Sequence, residues 1–327
     1  MQSYVGQVYV RLLGVGLLLI VFAVTGFSQN MFRKMNDFDG DGKTDFAITR
    51  TEGGSKVWYL WQSRDGFRTF QWGINRDMNA AGDYDGDGKA DIAIFRFGNN
   101  FPPFEHRFWI WQSGSNSLTT TLFTNPGPIT GIMQQDYNGD GKTDPAVLIG
   151  NILEPPGSGH TNVYGIYSGT AGTVDFLIPP YSFPIRAGDM TGDGRSDYVY
   201  YSYSTNPSVV NITNAATGAS SSIQFGRSGD RRVSPADFDG DGIGDVAIWR
   251  SSDGNWWWIR SSDNTVRVAN WGVSGDIPVT GDYDGDGVTD VAIWRPGSGQ
   301  SYYWVYGSQN GINVFPWGLS TDSLVLP

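Results

Sequence analysis

Between Ile277 and Gly318 apolar and polar positions alternate in four short runs, IPVTG, VAIWR, YYWVYGS and INVFPWG, separated by turns rich in Gly, Asp and Pro. A period of two marks strands, whereas the three-and-four spacing of an amphipathic helix does not recur. The chain is therefore expected to be all-β, with four strands to a unit. One strand repeats as Ala47-Ile48, Ala93-Ile94, Ala247-Ile248 and Ala292-Ile293, and Arg50, Arg96, Arg250 and Arg295 close it. A small Ala at a fixed strand position predicts close approach of a neighbouring sheet.

A nine-residue loop precedes these strands and recurs six times: DFDGDGKTD from Asp37, DYDGDGKAD from Asp83, DYNGDGKTD from Asp136, DMTGDGRSD from Asp189, DFDGDGIGD from Asp237 and DYDGDGVTD from Asp282. Its starts are 46, 53, 53, 48 and 45 residues apart, a length suited to a four-stranded propeller blade. Position 1 is Asp37, Asp83, Asp136, Asp189, Asp237 or Asp282; position 5 is Asp41, Asp87, Asp140, Asp193, Asp241 or Asp286; position 9 is Asp45, Asp91, Asp144, Asp197, Asp245 or Asp290. Position 3 always bears a side-chain oxygen, from Asp39, Asp85, Asn138, Thr191, Asp239 or Asp284. Position 7 changes freely, through Lys43, Lys89, Lys142, Arg195, Ile243 and Val288, so a backbone carbonyl is expected there. Oxygens at 1, 3, 5 and 7, with Gly at 6 for the sharp turn, reproduce the first half of an EF-hand loop. A donor set of hard oxygens selects Ca²⁺, up to six ions. The Thr191 and Asn138 loops should bind most weakly.

Composition sharpens this picture. The formal charge is −11, from 33 acidic and 22 basic residues. The loops hold 22 of those acids, four in each of the first, second, fifth and sixth and three in each of the others. With Arg33-Lys34 and Arg231-Arg232 the sole adjacent basic pairs, nucleic acid is excluded as a partner. Cys is absent, which removes disulfides and thiolate chemistry. Arg11 precedes an apolar run from Leu12 to Phe27 and small residues at Gly26 and Ser28. Residues 1–28 thus read as a signal peptide, leaving one exported domain over 29–327 with no stable membrane span.

The chain resembles the FG-GAP, or VCBS-like, repeat family of integrin-type β-propellers. The resemblance rests on Trp72-Gly73, Phe225-Gly226 and Trp271-Gly272 upstream of the loop, and on the run from Gly281 to Gly287 followed by Asp290-Val291-Ala292. Trp294-Arg295-Pro296 replaces the GAP element, and the third and fourth copies lack the aromatic-Gly pair. The resemblance implies a calcium-loop propeller. Six loops imply six blades, with the C-terminal SLVLP segment supplying the inner strand of the first. Asp77, Asp230, Asp276 and Asp322 recur five residues after the aromatic and read as structural. Trp256-Trp257-Trp258, with Trp58, Trp61, Trp109, Trp111 and Trp304, reads as core between blades. Asn211-Ile212-Thr213 is a glycosylation sequon.

Loops between second and third strands should emerge opposite the calcium. Two are enlarged, Phe97 to Arg107 and Ile149 to Asn162, and they suggest a ligand patch of Asn99, Asn100, Phe101, Phe104, Glu105, His106, Glu154, His160 and Asn162. Glu105 and Glu154, assisted by either His, are weak acid/base candidates, so no enzyme is expected. The expected function is a binding or adhesion module for an extracellular protein at the cell surface, with a lectin-like glycan binder as the alternative and a polysaccharide-acting enzyme as the third reading.

Overall fold

Along Ser55–Gln62 every second side chain, Lys56, Trp58, Leu60 and Gln62, is buried. That alternation recurs throughout a computed structural model describing residues 36–98, 105–124, 129–150, 161–165, 178, 182–202, 206–234 and 236–326. Residues 1–28, read as a signal peptide, lie outside the described residues. Every described element is a strand, and no described helix is long and apolar enough to cross a membrane.

The strands follow the repeats. The first unit holds β1 (Phe46–Glu52), β2 (Ser55–Gln62) and β3 (Gly66–Ile74); the second holds β4 (Met78–Asn79), β5 (Ile92–Arg96), β6 (Glu105–Gln112) and β7 (Ser117–Thr124). The third contains β8 (Ile129–Ile132), β9 (Ala146–Gly150) and β10 (Thr161–Gly165), and the fourth β11 (Ser182–Ile185), β12 (Tyr198–Ser202), β13 (Val209–Thr213) and β14 (Ser220–Gln224). The fifth runs through β15 (Arg231–Arg232), β16 (Val246–Arg250), β17 (Asn255–Ile259) and β18 (Val266–Asn270). The sixth has β19 (Ile277–Pro278), β20 (Val291–Arg295), β21 (Tyr302–Gly307) and β22 (Gly311–Pro316). All pairings are antiparallel between neighbours in sequence, except that β23 (Ser323–Leu324) returns to β1, with Leu324 opposite Ile48. Five sheets therefore have four strands, and the third has three among the described residues. The expectation of six four-stranded blades is corrected to five complete ones.

Packing between sheets explains the repeated Ala. Ala47, Ala93, Ala247 and Ala292 are at most 1% exposed, and the Tyr303 hydroxyl of the sixth unit donates to Ala47 O at 3.2 Å. Tyr201 of the fourth unit does the same to Ala247 O at 3.1 Å. A larger residue would hold the neighbouring sheet away. In the triple-Trp strand, Trp256 and Trp258 pack into one interior cluster with Trp249 and Ile293, while Trp257 turns to the opposite face beside Ile248 and Val199. Both faces are core, as adjacent strand positions require. Trp61 departs from the expected burial, being 38% exposed with its ring against Phe315 and Trp317. Asn211 of the sequon lies mid-strand, opposite Tyr200 on one side and Ser222 on the other, rather than in an accessible loop.

The recurring acids after the aromatic-Gly pair lock one unit to the next strand. Asp77 accepts two bonds from Arg96 at 2.8 and 2.7 Å, Asp230 from Arg250 at 2.7 and 3.0 Å, and Asp276 from Arg295 at 2.8 and 2.8 Å. Asp322 holds Arg50 at 2.7 and 2.8 Å, so one copy of the pair joins the two ends of the described chain. One oxygen of each acid also accepts the backbone N–H three residues earlier, from Ile74, Arg227, Val273 and Leu319.

Candidate metal centres

Each nine-residue loop is folded by its own carboxylates. At position 1, Oδ1 accepts from the position 4 Gly N at 2.6–2.7 Å in all six copies. Oδ2 accepts from the position 6 Gly N, at 2.8 Å in the first and 3.1 Å in the second. The position 9 carboxylate accepts from the position 2 N, at 2.8 Å for Phe38 and Asp45 and 3.0 Å for Tyr137 and Asp144. Position 5 Oδ1 receives the position 7 N, 3.0 Å in the case of Lys43. Aiming two N–H groups at one carboxylate forces positive φ at both glycines, +76° at Gly40 and +86° at Gly42. The sequence reading assigned that need to position 6 alone; position 4 shares it.

The loops are tied to one another as well. Position 8 of each loop donates its N–H to the position 1 carbonyl of the preceding unit: Ala90 to Asp37, Thr143 to Asp83, Ser196 to Asp136, Gly244 to Asp189, Thr289 to Asp237 and Thr44 to Asp282, all at 2.6–2.7 Å. The sixth bond returns to the first loop, making a closed circuit. Position 7 completes the contact. A Cβ on Gly40 would lie 3.0 Å from Lys89 Cγ, one on Gly192 3.0 Å from Ile243 Cδ1, and one on Gly285 3.0 Å from Lys43 Cγ. Position 7 is thus not indifferent to its side chain: Lys, Arg, Ile and Val all supply aliphatic carbon to cover the neighbour's position 4 Gly. Gly240→Ala, at φ +78° and with Val288 Cγ2 3.1 Å from the added Cβ, should cost about 1–2 kcal/mol. A urea midpoint unchanged by this substitution would contradict that account.

Four loops bring three carboxylates within 4.8 Å of one another: Asp37, Asp39 and Asp41; Asp83, Asp85 and Asp91; Asp237, Asp239 and Asp245; Asp282, Asp284 and Asp290. Burial pushes Asp45 up to about 8, with Asp39 and Asp37 adding repulsion, and lifts Asp245 and Asp290 to about 7. Asp91, Asp197 and Asp237 rise to about 6 for the same first reason. Buried carboxylates this close are costly without a counter-charge. Asp39 is 1% exposed, and its buried Oδ1 has no hydrogen-bond partner; Asp284 Oδ1 is likewise buried and unpartnered. A hard cation fits these oxygens.

In four units the third-to-fourth-strand turn closes over the loop, which sequence reasoning missed. Ser63 N donates to Asp45 Oδ1 at 2.7 Å and its Oγ to Asp41 Oδ2 at 2.5 Å. Ser113, Ser261 and Ser308 repeat both bonds onto Asp91 and Asp87, Asp245 and Asp241, and Asp290 and Asp286. The signal was a serine recurring in WQS, WQS, IRS and YGS after the third strand. The third and fourth loops differ. Asn214 Nδ2 donates to Thr191 Oγ1 at 2.7 Å and to Asp193 Oδ2 at 2.8 Å, and Asn138 Nδ2 reaches Asp144 Oδ1 at 3.2 Å. Amide donors there address the oxygens a cation would need.

The patch expected opposite these loops is only partly placed. Asn99, Asn100, Phe101, Phe104, Glu154 and His160 lie outside the described residues, and Asn162 is described through its backbone on β10. Glu105 is exposed at the start of β6. His106 is corrected from a loop ligand to a core residue: it is 4% exposed, ring-stacked with Phe95, and its Nδ1 accepts from Gly98 N at 3.2 Å. Burial lowers its pKa. Near the same end, a crevice of about 470 Å³ opens between the fourth and fifth sheets, lined by Pro207, Phe225, Arg227, Arg250 and Trp257. Another of about 270 Å³ lies in the seam between the sixth and first, beside Arg50, Tyr59, Phe67 and Trp317.

Four-stranded antiparallel sheets following one another around a circuit of acidic loops define a β-propeller. Residues 37–94 match the FG-GAP-like repeat model, so the chain is a propeller carrying an FG-GAP-like repeat. No curated protein matches it. Among solved structures it is similar to TolB from Acinetobacter baumannii, with a TM-score of 0.56 and 13% identity, covering 88% of this chain and 66% of that one. It thus spans just under two thirds of that protein. The β-propeller domain of the Trilobed protease from Pyrococcus furiosus gives 0.45 and 12% over 86% and 78% of the two chains. Apo AztD from Citrobacter koseri gives 0.44 and 9% over 86% and 96%.

Proposed function

We propose that this chain is an exported, calcium-tied propeller, its ring closed by β23, that works as a binding module for a protein partner at the cell surface. The observation carrying the metal reading is the set of four carboxylate trios, with the buried, unpartnered Asp39 Oδ1 among them. Ca²⁺ suits these all-oxygen loops. The first, second, fifth and sixth loops would hold it tightly, and the amide-occupied third and fourth weakly. When bound, the ion neutralises the clustered carboxylates. The chain's own part is to orient them through the loop N–H groups and the turn serines. Export is supported by the Leu12 to Phe27 apolar run behind Arg11.

Equilibrium dialysis against calcium should therefore return about four tightly held ions per chain, and a chain holding none would overturn the reading. Ser308→Ala, which removes the 2.6 Å bond to Asp286 Oδ2, should weaken one of those sites by roughly tenfold. Unchanged affinity would show that the serine does not position its carboxylate. A glycan ligand is the second reading, favoured by the aromatic walls of the two seam crevices. Selective binding of the calcium-loaded chain on a glycan array, lost in Trp257→Ala, would replace the protein-partner reading with it.

A further inference from the structure

The first unit breaks the repeat at two buried positions that converge on one side chain. Where the second, fifth and sixth units place Phe95, Trp249 and Trp294 between an Ile and an Arg, the first has Thr49. Opposite these four on the next strand lie Phe108, Trp256, Tyr303 and, in the first unit, Trp58. Two positions earlier the first unit has Lys56, where the others have His106, Gly254 and Ser301. Exchanging a bulky ring for Thr49 leaves room for an amine. Lys56 and Thr49 are 7% and 3% exposed, and both reach Asn79, on β4 of the second unit. Lys56 Nζ donates to Asn79 Oδ1 at 2.8 Å, and the Thr49 hydroxyl donates to the same oxygen at 3.3 Å. Asn79 Nδ2 is fixed as well, donating to Thr49 Oγ1 at 3.1 Å and to Leu324 O of β23 at 3.2 Å.

This contact assembles the atoms of an amide exchange. A carbonyl bond of about 1.2 Å puts Nζ within about 4 Å of Asn79 Cγ. Burial favours the neutral, nucleophilic amine, against the pull of Asp77, whose own oxygens are taken by Arg96 and by Ile74 N. Fixing amine and amide in one cluster replaces a chance encounter with a standing one. The Thr49 hydroxyl polarises the carbonyl through its bond to Oδ1 and is placed to support the oxyanion that attack would form there. Since the chain has no Cys, a disulfide is not available to tie the first unit to the second.

We propose that Lys56 and Asn79 condense into an intramolecular isopeptide bond that staples the first unit to the second. Nζ attacks Cγ, the Nζ–Cγ bond forms and the Cγ–Nδ2 bond breaks. The amide nitrogen leaves as ammonium, carrying the two protons that the lysine ammonium gives up, and no oxidant or co-reactant is consumed. The test is a tryptic digest of the purified full chain, kept folded in calcium and read by mass spectrometry. It should contain a branched peptide joining residues 51–64 to 77–89, lighter by one ammonia than the sum of its parts. Asn79→Ala and Lys56→Met should each abolish that species. Thr49→Val, close to Thr in volume, should leave most chains unlinked at a time when the native chain is fully converted. Should the variants fail to fold, the digest of the native chain decides alone. Separate peptides from a native chain aged in its folded form would overturn the proposal, as would a branched peptide that persists in Asn79→Ala.

Discussion

Chelating calcium should lower the melting temperature of the purified chain by about 20 °C. A ligand at a hundred times its dissociation constant stabilises by about 2.7 kcal/mol per site. Four sites then contribute about 11 kcal/mol, and a chain of this size shifts by roughly 2 °C per kcal/mol. The effect should reverse its pH dependence with the metal. Without calcium, Asp45 at about 8, Asp245 and Asp290 at about 7, and Asp91 and Asp237 at about 6 bind protons more readily folded than unfolded. The folded state then holds the extra protons between the ordinary carboxylate range and those values, so stability rises as pH falls from 8 towards 5. With calcium bound, the same protons compete with the ion, and stability should fall over that window. Calorimetry with and without chelator across pH 5 to 8 checks both signs. Parallel pH profiles in the two conditions would sink the metal assignment.

Replacing Asp322 by Ala should be the most damaging single change at the seam between the ends of the chain. Its side chain is fully buried, receives two bonds from Arg50 and a third from Leu319 N, and anchors the segment carrying β23. Breaking a buried pair costs about 3–5 kcal/mol. The Arg50 side chain is 28% exposed, so the lower figure, about 3 kcal/mol, applies after allowing for solvent. The loss should appear as a melting temperature about 6 °C lower, together with proteolysis between Leu319 and Leu326. Asp230→Ala breaks the equivalent pair inside the chain and should cost a similar amount without opening those residues to protease. Identical digestion patterns in the two variants would show that Asp322 has no particular part in holding the ends together.

Sequence and structure diverge where a contact crosses units. His106 stands between charged residues in an insertion, yet β6 starts at Glu105, and pleating turns the next side chain inward onto Phe95. Trp61, three positions from Trp58, falls on the opposite face of the strand and meets the seam, where the packing partners are Phe315 and Trp317 from the far end of the chain. The freedom of position 7 had a cause that no single repeat displays, since the glycine it covers belongs to the neighbouring unit.

What the sequence determined by itself is local and repeated: strands from a period of two, and oxygen-bearing loops from six copies compared with one another. Those features depend on residues a few positions apart, and each copy tests the others. Tertiary structure alone decided which carboxylates converge, because Asn214 and the turn serines reach the loops from another hairpin. It also decided that the Arg186 guanidinium meets Leu326 O, 140 residues away. Such contacts are set by the closing of the circuit, and no pattern along the chain encodes which units will face each other.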